Sequence, residues 1–181
     1  MLSPDVFRGL SFDDILGVKT AEIPTNEIKP SLRIALVDDD SSFNQAVEMM
    51  SEVLPDGKRP DSLKCYTDPQ DASREIIEKS RNGEVTVAII DRNLPGIKGE
   101  ELAASLRRAG VEIPIILQSS QNRQDSTLPG NDGLSASGID AFMEKSAMIE
   151  DLDRLEKTMD LGRRLIAAKQ IKPRNGPPKA A

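Results

Sequence analysis

Asp38, Asp39 and Asp91 are the carboxylates whose placement could do chemistry, together with the Ser119 hydroxyl and the Lys145 ammonium. Each lies at or just past the end of a short apolar run. Leu32 to Val37 leads into Asp38-Asp39-Asp40, and Val85 to Ile90 leads into Asp91. Ile113 to Leu117 precedes Ser119, and Ala141 to Met143 precedes Lys145. Carboxylates brought together repel and raise one another's pKa values unless a cation sits among them. Mg2+, held by one or two carboxylates, a carbonyl and waters, would relieve that repulsion and leave a position for a phosphate oxygen. An aspartate can attack phosphorus and form an acyl phosphate. Such a transfer depends on positioning and on neutralising charge at the equatorial oxygens. Mg2+, Lys145 and Ser119 would provide those elements.

Each of these residues also has a plainer use. Aspartates at strand ends cap the helix that follows, and Asp40 is assigned that role. For Asp38-Asp39 taken alone, capping or solvation stands beside metal binding. Asp91 follows the most apolar stretch of the chain and precedes no helix for several positions, so capping does not explain it. Ser119 alone reads as a structural hydroxyl and Lys145 alone as a solvated charge. The joint arrangement is what favours chemistry.

Composition removes several classes. The chain of 181 residues fits one domain of ordinary size plus tails. With no histidine and one cysteine, Cys65, it has no Cys/His metal cluster and no Ser-His-Asp or Cys-His arrangement. Any metal must be held by oxygen, which favours magnesium or calcium. A net charge of -6 without a basic stripe, and 3% aromatics, argue against nucleic acid as a partner. No stretch approaches the ~20 apolar residues of a membrane span, and the N-terminus does not read as a signal peptide. A cytoplasmic protein is expected.

The positioning elements follow from the apolar runs. Residues 1–30 read as an extension, a weak amphipathic helix and a linker broken by Pro24 and Pro30. Leu32 to Val37 reads as a buried parallel strand by length and branching. Ser41 and Ser42 are expected to cap a helix carrying Phe43, Ala46, Val47, Met50 and Val53 at helical spacing. Further strands are expected at Leu63–Thr67, Val85–Ile90, Ile113–Leu117 and Ala141–Met143. Helices are expected from Asp68-Pro69, over Glu100–Ala109 and over Ala147–Gln170, and a disordered tail over 171–181. Five alternations of strand and helix imply an α/β doubly wound five-stranded parallel sheet with an extended C-terminal helix. Sites in such sheets form outside the carboxyl ends of the strands, so all five candidates should converge on one edge.

Four segments together resemble the response-regulator receiver family of two-component systems, which includes the bacterial chemotaxis regulator. They are Leu36-Val37-Asp38-Asp39-Asp40, the stretch from Ile89 through Asp91-Arg92-Asn93-Leu94-Pro95-Gly96 to Gly99, Pro114 to Ser120, and Gly138 to Lys145. The resemblance runs from about Leu32 to Gln170, placing the receiver at 31–170, and implies a flavodoxin-like fold. It also implies that Asp38 and Asp39 hold Mg2+, that Asp91 is phosphoacceptor and metal ligand, and that the Asn93 backbone carbonyl completes the protein ligands. Ser119 would bond the phosphoryl group as a switch, Lys145 would pair with that group, and Phe142 would move with Ser119. The donor would be a sensor histidine kinase or a histidine phosphotransfer protein. The response would be a switched contact with a downstream protein target, and the only catalysis self-directed transfer and autodephosphorylation. Nothing after Gln170 has the length of an output module, so none is expected.

The sequence departs from the family pattern in four places. Ser146 stands where a proline usually follows the lysine, and Ser120 replaces a usual alanine. Gln121 to Gly138 is long, polar and glycine-rich, with a short fourth helix expected around Asp132–Ser137. The Leu54–Ser62 loop is long. A phosphate-independent receiver-like interaction module is the alternative. A phosphohydrolase with an aspartate nucleophile would need an acid two positions on, where Asn93 stands. The C-terminal helix would span about 36 Å. Beyond Met159 its apolar Leu161, Leu165 and Ile166 are expected to outrun the sheet, to be covered by a second copy in a homodimer or by the N-terminal segment.

Overall fold

A computed structural model of the chain describes residues 30–120 and 137–171. Five parallel strands form one sheet: β1 (Arg33–Val37), β2 (Ser62–Tyr66), β3 (Val87–Asp91), β6 (Ile115–Ser119) and β7 (Ala141–Glu144). Their order is β2-β1-β3-β6-β7. The four helices are α1 (Ser41–Glu52), α2 (Pro69–Arg81), α3 (Gly99–Arg108) and α4 (Leu152–Ile171). The order reverses between β1 and β3, which leaves a crevice at their carboxyl ends. The doubly wound sheet expected from the apolar runs is therefore present.

The strands are apolar on both sides because helices cover both faces. Leu32, Ile34, Leu36, Val87, Ile89, Ile116 and Met143 pack one face against Phe43 and Val47 of α1 and Leu155 and Met159 of α4. Ala35, Val37, Ala88, Ile90, Ile115 and Leu117 face α2 and α3 through Ala72, Ile76, Leu102 and Leu106. The period-2 alternation of the strands sorts the two sets.

Local details correct the sequence reading in three places. Asp40 caps α1 as assigned, its Oδ1 accepting from the Ser42 and Phe43 amides at 3.0 and 3.1 Å; Ser41 and Ser42, also expected as caps, lie in the first turn instead. A two-stranded antiparallel hairpin, β4 (Asn93–Leu94) with β5 (Ile97–Lys98), follows Asp91, and Gly96 turns it at φ +76°. The C-terminal helix starts at Leu152 rather than Ala147, after a 3-10 turn over Lys145–Met148. The Asp151 carboxylate accepts from the Arg154 amide at 2.8 Å and so satisfies an orphan donor of that helix end.

The far half of α4 does not outrun the sheet. Leu161 and Ile166 are buried in the same cluster as Leu32 and Leu36, with Leu165 packed against it. Gly162 lets the helix approach closely, since a Cβ there would stand 2.9 Å from Leu32 Cδ1. Ion pairs hold the rest: Lys58 with Glu156, and Lys169 with Asp140 at 2.9 Å. The α4 stripe is thus covered by the chain itself, so neither a second copy nor the N-terminal segment is needed to shield it. The expected weak helix and linker in 1–30, the fourth helix and the C-terminal tail lie outside the described residues, apart from Pro30, Ser137 and Ile171. No described helix is long and apolar enough to cross a membrane.

Candidate functional site

Asp91 is the last residue of β3, the central strand, and is 6% exposed. β1 runs beside it with Val37 opposite Ile90, so Asp38 emerges next to Asp91. On the other side Gln118 of β6 is the register partner of Asp91. The α3 N-terminus closes in behind, and Gly99 makes this possible. A Cβ at Gly99 would press on the Asp91 carbonyl oxygen and stand 2.7 Å from Leu117 Cδ1. The second glycine of the Gly96-Ile97-Lys98-Gly99 stretch is therefore a spacing requirement of the acid site.

Asp38 is fully buried. Its Oδ1 accepts from the Asp40 amide at 3.0 Å and from Lys145 Nζ at 2.8 Å. Its Oδ2 accepts from Gln118 Nε2 at 2.8 Å and faces the same Nζ at 2.7 Å. The Asn44 side-chain amide donates to its backbone carbonyl at 2.8 Å. Lys145 also rests over the Phe43 ring, 4.4 Å from the centroid. The lysine expected at the phosphoryl group is thus bonded to Asp38. Asp39 is exposed at the rim.

Burial pushes the Asp91 carboxyl above its ordinary pKa; the Asp38 and Asp39 charges push the same way, while the Asn93 backbone N–H and Lys145 oppose them. That N–H donates to Asp91 Oδ2 at 2.8 Å. Asn93 in turn accepts from Lys98 Nζ at its side-chain oxygen, 2.8 Å away. Among the described residues no three acidic, histidine or cysteine side chains stand together as ready ligands for an ion. The acidic groups whose charges act on Asp91 are the Asp38 and Asp39 carboxylates, oxygen ligands that suit Mg2+ in kind. Asp38 could serve only by exchanging a Lys145 or Gln118 bond for the ion.

Ser119 is fully buried at the end of β6 and opposite Glu144 in register. By the strand alternation it shares a sheet face with Phe142, which packs half-buried on the α2/α3 cluster. Sequence reasoning missed three residues that touch Asp38 or its lysine: Gln118, Asn44 and Phe43. Gln118 carried a signal, a polar residue closing the run Ile115-Ile116-Leu117.

No protein-family profile matches the chain. The cell cycle response regulator CtrA of Brucella ovis is 27% identical over 114 residues, covering 63% of this chain and 44% of that protein. The chain therefore spans less than half the length of the curated relatives it matches. Among solved structures, the signal receiver domain of a Luxo repressor protein from Vibrio parahaemolyticus superposes with a TM-score of 0.58 at 18% identity. That match covers 78% of this chain and 96% of the other. This chain has the fold of such receiver domains. A second similar structure is the receiver domain of the Arabidopsis thaliana histidine kinase CKI1 complexed with Mg2+, with TM-score 0.54 and 20% identity over 74% of this chain and 94% of that one.

In this chain the described peptide bonds are all trans, and Ser146 follows Lys145 within the 3-10 turn. An open cleft of about 470 Å³ lies beside Lys145, lined by Phe43, Ala46, Ser120, Ser146 and Ile149 among others. Its lining residues Asp40, Ser120 and Lys145 follow the carboxyl ends of β1, β6 and β7.

Proposed function

We propose that residues 31–170 form a receiver that accepts a phosphoryl group on Asp91 from a sensor histidine kinase or a histidine phosphotransfer protein. The observation that carries this reading is the near-buried Asp91 carboxylate at the end of the central strand, flanked by Asp38 and within the field of Lys145. An Asp91 carboxylate oxygen attacks phosphorus, the bond from phosphorus to the donor nitrogen breaks, and the electron pair leaves on the donor imidazole. The Asn93 N–H holds the other oxygen, Oδ2. Lys145 exchanges Asp38 for the incoming phosphoryl oxygens, and Ser119 hydrogen-bonds the transferred group. Mg2+, held by Asp91, Asp38, Asp39 and the Asn93 carbonyl, would neutralise charge on those oxygens. The Mg2+ in the Arabidopsis receiver supports that assignment.

Water later hydrolyses the acyl phosphate, so the only catalysis is self-directed transfer and autodephosphorylation. The output is a switched contact with a downstream protein, in the cytoplasm, with neither nucleic acid nor membrane as direct partner. Intact-protein mass spectrometry after incubation with acetyl phosphate and Mg2+ tests the reading. One added phosphoryl group is expected on the wild type and none on Asp91→Asn. A wild type left unmodified by several donors, or a modified Asp91→Asn, would overturn it.

A further inference from the structure

Gln118 is the polar residue on the α1/α4 face of β6, where Ile116 before it is apolar core. It is fully buried, and its register partner is Asp91 on the neighbouring strand. Its side chain does not bond Asp91. It crosses β3 to Asp38 on β1, donating Nε2 to Oδ2 at 2.8 Å. Strands two apart in a sheet are separated by roughly 9.6 Å, a gap that a glutamine and an aspartate side chain fill end to end.

The glutamine's other polar atom, Oε1, is buried without a hydrogen-bond partner, and so is Oδ1 of Asn44. The two amides left with a bare carbonyl are thus the two that hold Asp38, one through its carboxylate and one through its backbone oxygen. A buried acceptor without a donor destabilises the fold, because its desolvation is not repaid by a hydrogen bond. A methionine or leucine at 118 would avoid that cost but forfeit the Nε2 bond to Asp38, so the N–H group has a partner in the fold and the carbonyl has none. Water molecules carried on a cation donate O–H groups, which both carbonyls lack.

We propose that Gln118 is a positioning residue for the cation at Asp38 and Asp91. Its N–H group aims the Asp38 carboxylate, and its carbonyl accepts from a water on the bound ion. This rests on the receiver reading above. Asn44 does the same from α1 for the Asp38 main chain. Hydrogen-bonded residues behind metal ligands typically contribute a ten- to hundredfold factor in metal affinity.

The test is Mg2+ titration by calorimetry on the full chain, comparing wild type with Gln118→Met, which keeps the length and loses the amide, and Gln118→Asn, which keeps the amide but is one methylene too short. Both should bind Mg2+ ten- to a hundredfold more weakly. The metal-free unfolding midpoint of Gln118→Met should move little, because the lost Nε2 bond to the Asp38 carboxylate is offset by removal of the bare carbonyl. Phosphoryl uptake by both variants from acetyl phosphate should approach the wild-type maximal rate at saturating Mg2+, with the defect in the Mg2+ concentration needed. Unchanged Mg2+ affinity in both variants, or a loss of stability in Gln118→Met with no loss of affinity, would overturn the assignment. If wild type binds no Mg2+, the receiver reading fails and this inference with it.

Discussion

Lys145 Nζ stands 2.7 Å from one carboxylate oxygen of Asp38 and 2.8 Å from the other, a pair spanning β7's end to β1's end. The lysine side chain is 15% exposed and the aspartate side chain fully buried. In this arrangement the lysine occupies the lone pairs that a cation would use. On the proposed function, binding an ion and releasing Lys145 toward a phosphoryl group would be two sides of one exchange.

The pair gives a stability prediction. Lys145→Met leaves the Asp38 charge buried with only the Gln118 amide and the Asp40 N–H to hold it. Removing one partner of a buried pair costs about 3–5 kcal/mol. Urea unfolding without metal should show a loss near the lower figure, since two donors remain. Excess Mg2+ should recover part of it by binding the folded state alone. A variant as stable as wild type without metal would show that Asp38 is neutralised by something else.

Asp91 gives a pH prediction. Burial and the neighbouring carboxylates raise its folded-state pKa above the unfolded value. The folded chain then holds that proton more tightly than the unfolded chain. Stability falls as pH rises from the ordinary carboxylate range through the raised value, and the loss persists at neutral pH. Asp91→Asn removes the ionisation. Without metal it should be more stable than wild type at pH 7, with the difference shrinking below the carboxylate range and also on adding Mg2+. A difference that grows on acidification would contradict the assigned direction.

Ser119 and Phe142 give a switching prediction. The hydroxyl is buried on the sheet face where the Phe142 ring packs. A phosphoryl group on Asp91 that draws the hydroxyl toward it favours one of two ring positions. Ser119→Ala should still take up phosphate. In NMR spectra its Phe142 ring signals should shift much less on phosphorylation than those of wild type. Equal shifts in both proteins would remove Ser119 from the switch.

The covered face of α4 gives a packing and assembly prediction. Ile166 is 5% exposed against the chain's own sheet. Ile166→Ala should cost about 2–5 kcal/mol in denaturant unfolding. Light scattering of the full chain should show no association that this variant weakens. A dimer dissociated by Ile166→Ala would place the stripe between copies instead.

Much of the fold was readable because its signals are local. Asp38, Asp91 and Ser119 each close an apolar run, and a run covered by helices on both faces puts its last residue at the sheet edge. Alternating strand and helix leaves few topologies, so convergence at that edge followed from the same pattern. Asp40 as a cap was also local, decided by its own Oδ1 and the two amides following it. The hairpin at Asn93–Lys98 was missed because two-residue strands carry no periodicity.

What the residue order determined alone was the five strands of the parallel sheet and the acids at their carboxyl ends, residue types that fit the proposed phosphoryl chemistry. Tertiary structure decided who bonds to whom. Lys145 on Asp38 rather than on Asp91, and Gln118 reaching two strands away, join residues 107 and 80 positions apart. No spacing rule reports such contacts. It decided too that the far half of α4 is covered, because Gly162 lets the helix settle against Leu32 and Val87. The physical reason is common to all three cases. Side-chain reach of a few ångströms is fixed by how strands and helices pack, and that geometry exists only once the sheet has formed.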